Sequence, residues 1–168
     1  VRFFLKQFEP SFEMYCTPVH IDPEKPVMPI SHPRVYSVYL AKQLGPFATL
    51  GLAEDTWSLS EGVMDEAAFL QQAYDIHEER IRMLFDSIKQ IKRGMITCVF
   101  DAPDRIQHMF WRFQDPQHPG HPSSAPGNKV ENGYQDTIRD MYVEMDKLVG
   151  QTIEAAGSNT ALLVMSDH

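Results

Sequence analysis

The sequence predicts an α/β chain: a fragment of a three-layer core with at least two parallel strands, plus a short antiparallel strand pair at the N-terminus. Three observations carry that prediction. Two short apolar runs rich in β-branched residues, Met95–Phe100 and Thr160–Met165, read as buried strands of a parallel sheet. Between them lies an amphipathic helix of the right length for a crossover, which would set the two runs side by side and parallel. A second, longer amphipathic helix feeds directly into the first run.

At the N-terminus, Val1 to Phe8 and Phe12 to Ile21 are strand-like runs split by the turn signal Glu9-Pro10-Ser11. Alternation puts Tyr15, Thr17 and Val19 on one face of the second strand, and Met14, Cys16 and His20 on the other. His20 reads as a strand-end polar residue rather than a ligand. Asp22-Pro-Glu-Lys-Pro26 and Pro29 then break regular structure. Residues 1–30 are therefore expected to be the strand-rich tail of an insert over the sheet's rim, with residues 31–168 the α/β core segment.

Ser31 reads as a helix N-cap, with Pro33 in the first turn, Val35 to Leu44 as the body and Gly45-Pro46 as the stop. Phe47 to Val63 has no clear period. Glu54 and Asp55 in it fit either a loop reaching toward substrate or a solvated acidic patch on an ordinary connection, and the second is favoured. Asp65 caps a helix predicted to reach Arg93. Its buried stripe is Phe69, Leu70, Ala73, Tyr74, His77, Ile81, Leu84, Phe85, Ile88 and Ile91. His77 is expected to be a satisfied, half-buried histidine, while Glu78, Glu79, Arg80 and Arg82 belong to the solvated side. Gly94 ends this helix.

Gln114 to Gly133 is rich in proline and glycine and reads as an extended surface loop and a candidate lid. His118 and His121 lie in it, but no carboxylate or cysteine shares their spacing, so they are not read as a metal pair. Tyr134 to Ala156 is the crossover helix. Ile138, Met141, Tyr142, Met145, Leu148, Val149, Thr152 and Ile153 form its stripe, and Gly157 stops it. Asp146 lies beside the stripe and is read as structural or exposed.

A chain of 168 residues, 43% hydrophobic and 23% charged, is about one domain of ordinary globular composition. Its net charge of −8 argues against nucleic acid or an anionic membrane as partner. A phosphate substrate would also be repelled unless bound cations reversed the local field. No apolar run is long enough to span a bilayer. No targeting segment is visible, which leaves the compartment open, with the cytoplasm as the working expectation. Two cysteines, Cys16 and Cys98, cannot make a disulfide framework and are read as structural.

The chemistry-bearing residues gather where the apolar runs end. After Phe100 come Asp101, Ala102, Pro103 and Asp104, and then residues at helical spacing. Asp104 and His108 are four apart, so on a helix they share one face. A carboxylate and an imidazole converging just past a strand's carboxyl end can bind a divalent metal. The same spacing also fits a helix-capping Asp104 with a packed His108. The second apolar run repeats the design, since Asp167 and His168 stand at its carboxyl end. Parallel neighbours would bring both pairs to the same rim.

Phe100-Asp-Ala-Pro-Asp-Arg-Ile-Gln-His-Met-Phe-Trp-Arg112, followed about fifty residues later by Ser166-Asp-His168, resembles the alkaline phosphatase superfamily. Its type I phosphodiesterase/nucleotide pyrophosphatase branch, with its predicted phosphohydrolases and phosphomutases, is the nearest likeness. The stretch Thr49-Leu-Gly-Leu-Ala-Glu-Asp-Thr56 belongs to the same resemblance. What it implies is a two-metal phosphoric ester hydrolase acting on small-molecule phosphate esters, with a Ser or Thr nucleophile between the ions. Asp104 and His108 would hold one ion, and Asp167 and His168 the other. For that donor set zinc is favoured and manganese is compatible.

Members of that superfamily also carry an Asp and the nucleophile in an N-terminal strand–turn, and a further His after Ser-Asp-His. Those motifs are not in this chain. The expectation is an internal segment of a larger enzyme, without turnover by itself. A phosphomutase, or a non-catalytic binding domain, are the alternatives.

Overall fold

The structure, a computed structural model, describes residues 1–122 and 133–166. Two strands come first, β1 (Phe3–Gln7) and β2 (Glu13–Cys16). Five helices follow: α1 (Val35–Leu44), α2 (Thr56–Ser60), α3 (Glu66–Gln90), α4 (Ala102–Gln114) and α5 (Thr137–Ala156).

β1 and β2 pair antiparallel, with Phe3 opposite Cys16, Phe4 opposite Tyr15 and Leu5 opposite Met14, and an irregularity after Leu5. The alternation expected for β2 holds as far as Thr17. Tyr15 and Thr17 are buried and Met14 and Cys16 exposed, while Val19 beyond them is exposed too. Polar contacts fasten this ribbon to the helices. Arg2 donates to the Glu79 carboxylate on α3, and the Tyr15 hydroxyl donates to Asp55, the residue before α2. Behind β2, the backbone N–H of Thr49 donates to His20 Nδ1 at 3.0 Å, so His20 holds a loop in place.

The Ser31 hydroxyl accepts the N–H of Ser37 at 3.0 Å, so its capping part reaches α1 from six residues away. Gly45 at φ 88° ends the helix in a conformation side chains resist. Asp55 is a true cap: its carboxylate accepts the Ser58 N–H at 3.0 Å, starting a helix that the aperiodic sequence did not reveal. Asp65 caps α3 through the Ala68 N–H at 2.7 Å, as expected, and the helix stops at Gln90 rather than Arg93.

α3 is covered from two sides, which the single stripe did not predict. Phe69 and Ala73 join Ala102, Ile106 and Phe110 of α4 and Ile138 and Met141 of α5 in the main core. Ile76 packs instead with Ala48 and Ala53, and Gln72 and Glu79 accept the N–H groups of Asp55 and Ala48. Glu79 is thus buried and not on a solvated side. Farther along, the predicted stripe thins out, and Ile91 is exposed.

The two apolar runs differ most from expectation. Among the described residues the only sheet is β1–β2, and Met95–Phe100 joins no ladder; nor do residues 160–165. Most of their apolar side chains are exposed, from Ile96 at 37% to Met95 at 86%, while Cys98 and Phe100 are half-buried. Strands of that composition need cover on both faces, and no described element supplies it. The described fold is therefore mixed α/β, with an antiparallel ribbon docked on a helical layer. No described helix is long and apolar enough to cross a membrane.

Candidate metal centre

α4 begins where the first apolar run ends. Asp101 occupies its N-cap position without a side-chain cap bond, and Pro103 lies in the first turn, where a missing N–H costs nothing. Ala102, Ile106, Phe110 and Phe113 face the core. Asp104 and His108 sit two positions on from Ala102 and Ile106, about 200° round the helix, and so face outward.

Asp104 is not the cap residue. It stands inside the first turn, where the helix N-terminus favours its negative charge. Its Oδ1 lies 3.1 Å from His108 Nε2, and its Oδ2 lies 3.1 Å from Arg105 Nη1. The His108 side chain is well exposed, so it is not a packed histidine. Two ligand atoms at about 2.1 Å from a tetrahedral ion stand about 3.4 Å apart. The Asp104–His108 pair is close to that separation and has the right donor chemistry, one carboxylate oxygen and one imidazole nitrogen. It fits half of a zinc or manganese shell.

No group of three or more His, Cys, Asp or Glu suited to a metal converges among the described residues. Asp167 and His168, the second pair expected from sequence, lie outside the described residues. His118 Nδ1 accepts the Gly120 N–H at 3.0 Å, so that nitrogen closes a local turn instead of serving as a ligand. Residues 123–132 of the expected loop also lie outside the description. Asp146 is exposed on α5.

Two buried groups near this helix were misread from sequence. Glu54 is not on a solvated patch: it is 3% exposed, and neither carboxylate oxygen has a hydrogen-bond partner. Burial pushes its pKa up and so does the charge of Asp101, while the approach of its own backbone N–H, short of hydrogen-bond geometry, and then Arg105 and Arg80 pull it down. His77 is 3% exposed with neither ring nitrogen partnered, so it is not a satisfied histidine. Its ring stands edge-on to Phe100 with centroids 5.4 Å apart, and burial holds its pKa below the ordinary value. Asp55 shows the contrasting case. Burial pushes its carboxyl up, but the hydrogen bonds from Tyr15 and Ser58 more than offset that and leave it low. Its partner Tyr15 is pushed up to about 12, by burial first and by that hydrogen bond second.

Residues 22–168 match the model of a protein family described as type I phosphodiesterase / nucleotide pyrophosphatase. No curated protein and no solved structure matches the chain.

Proposed function

This chain belongs to the type I phosphodiesterase / nucleotide pyrophosphatase family, and on that premise we propose a metal-dependent hydrolase of small-molecule phosphate esters. In this reading Asp104 and His108 hold one divalent ion, with Asp167 and His168 as the ligand pair for a second. The family supplies the reaction class, hydrolysis of phosphate esters. The observation that supports the assignment within this chain is the 3.1 Å approach of Asp104 Oδ1 to His108 Nε2 on the outward face of α4.

The chain's own residues prepare that pair. Asp104 stands in the first turn of α4, where the helix N-terminus favours a negative charge, with Arg105 Nη1 3.1 Å from its Oδ2. His108 offers Nε2 on the same outward face, 3.1 Å from Asp104 Oδ1, as the second ligand atom. When bound, divalent ions here supply Lewis-acid polarisation of the phosphoryl group and offset the chain's net charge of −8. The Ser or Thr nucleophile is assigned to no residue of this chain. The same reading takes residues 95–100 and 160–165 as parallel strands of a three-layer core. Their apolar composition and their uncovered side chains support it.

The test follows hydrolysis of a chromogenic phosphodiester and a monoester by the full-length protein with zinc or manganese. Asp104→Ala and His108→Ala are each expected to lower kcat/KM by about 100-fold or more while the fold survives. Unchanged turnover in either variant would remove that residue from the site. A folded wild type inert toward both esters, but able to move phosphate within a sugar phosphate, would make the protein a mutase.

A further inference from the structure

The segment before α2 is anchored at two points and hangs between them. Ala48 is buried and gives its N–H to Glu79 at 2.8 Å, and Ala53 is buried in one cluster with Ala48 and Ile76. Between these anchors residues 49–52 run out to an exposed tip at Gly51 and Leu52. Among the described residues, two hydrogen bonds tie this tip to another segment, and Thr49 makes both. Its N–H donates to His20 Nδ1 at 3.0 Å, and its hydroxyl donates to the Ile21 carbonyl at 3.0 Å.

A ring nitrogen that accepts an N–H carries no proton of its own, so this contact requires a neutral His20 with its proton on Nε2. Protonation puts an N–H on each side of a 3.0 Å contact. The bond is then lost, and the Thr49 amide faces a positive charge. The surroundings favour the neutral ring. Burial holds its pKa below the ordinary 6.5, and the positive charges of the Val1 amino group and Arg2 act in the same direction. Arg2 is itself paired with Glu79 of α3, and Asp22, on the same segment as His20, accepts the Glu24 N–H at 2.9 Å. Among the described residues no carboxylate forms an ion pair with His20 that would hold a proton on it.

We propose that His20 is an acid-sensitive latch on residues 49–52: its neutral Nδ1 holds the Thr49 N–H, and protonation of the ring lets the tip go. The latch is closed above about pH 6.5 and opens as pH falls through the depressed pKa of the folded protein. The anchors at Ala48 and Ala53 do not involve His20, so the opening is confined to the tip. That tip leads directly into Glu54 and Asp55, the cap of α2. The inference is independent of the metal ligands.

The experiment follows hydrogen exchange of residues 47–53 in the full-length protein from about pH 8 to pH 4.5, with each rate divided by the intrinsic rate at that pH. The NMR signals of the His20 imidazole report its titration in parallel. Protection of the Thr49 amide is expected to fall about 10-fold or more as His20 titrates. His20→Asn offers an acceptor that does not titrate and should remove this step, while general acid effects on the fold remain. His20→Ala should leave Thr49 poorly protected at every pH. A step that persists in His20→Asn, full protection of Thr49 in His20→Ala, or an imidazole that stays neutral throughout overturns the proposal. If His20→Asn does not fold, the wild type decides: a step with its midpoint at the measured His20 pKa supports the latch, and a midpoint elsewhere, or no step, overturns it.

Discussion

His77 carries two unpartnered ring nitrogens in a buried site, and that has a consequence for stability against acid. Burial lowers its pKa from the ordinary 6.5, and the opposing pull of Glu144 is smaller. The folded protein therefore keeps His77 neutral, while the unfolded chain takes up the proton as pH falls below that value. The stabilisation is fully present above about pH 6.5 and is lost as pH falls toward the depressed folded-state pKa. His77→Leu removes both the orphaned nitrogens and the proton linkage. It is expected to stabilise the protein by about 1 kcal/mol at pH 5.5 and less at pH 7.5. Urea midpoints of both forms at the two pH values check this, and parallel pH profiles would show that His77 is not the group responsible. Asp104 and His108 belong to the same scale. Their pairing was legible because an i,i+4 spacing on one helix face is a local property.

At the scale of elements, α3 is the strut to which the ribbon, α1, α2 and α4 all attach. Its start is set by Asp65 and its connection to the ribbon by Glu79, which accepts the Ala48 N–H at 2.8 Å and the guanidinium of Arg2. Asp65→Ala should cost about 1 kcal/mol through the lost cap alone. Glu79→Ala should cost about 2 kcal/mol, because it leaves the Ala48 amide buried without an acceptor. Hydrogen exchange separates the two mechanisms. Residues 3–7 and 13–16 should exchange faster in Glu79→Ala and stay unchanged in Asp65→Ala. Faster exchange of the ribbon in both variants would mean that the ribbon follows global stability and not this anchor. Glu79 was read as solvated because the period of a helix marks one covered face, whereas α3 is covered on two.

At the scale of the whole molecule, the exposed apolar runs set the clearest expectation. Met95, Val99, Leu163 and Met165 form exposed apolar surface beyond what isolated residues require. If residues 95–100 and 160–165 are core strands of the full-length protein, their amides should be among the slowest to exchange, protected about as well as those at the centre of α3. Fast exchange in both segments would identify them as loops and remove the parallel core from the reading.

The amino-acid sequence by itself determined where most helices lie, which face of α4 carries the acid and the imidazole, and which family the chain belongs to. Those follow from period, capping and short motifs, all of which act within a turn or two of the chain. Only the tertiary structure decided that Glu54, Glu79 and His77 are buried, that Asp55 caps a helix while receiving Tyr15, and that α3 has two covered faces. Burial of a polar group is the work of residues distant along the chain. It depends on what closes over the group, and a local pattern carries no record of that.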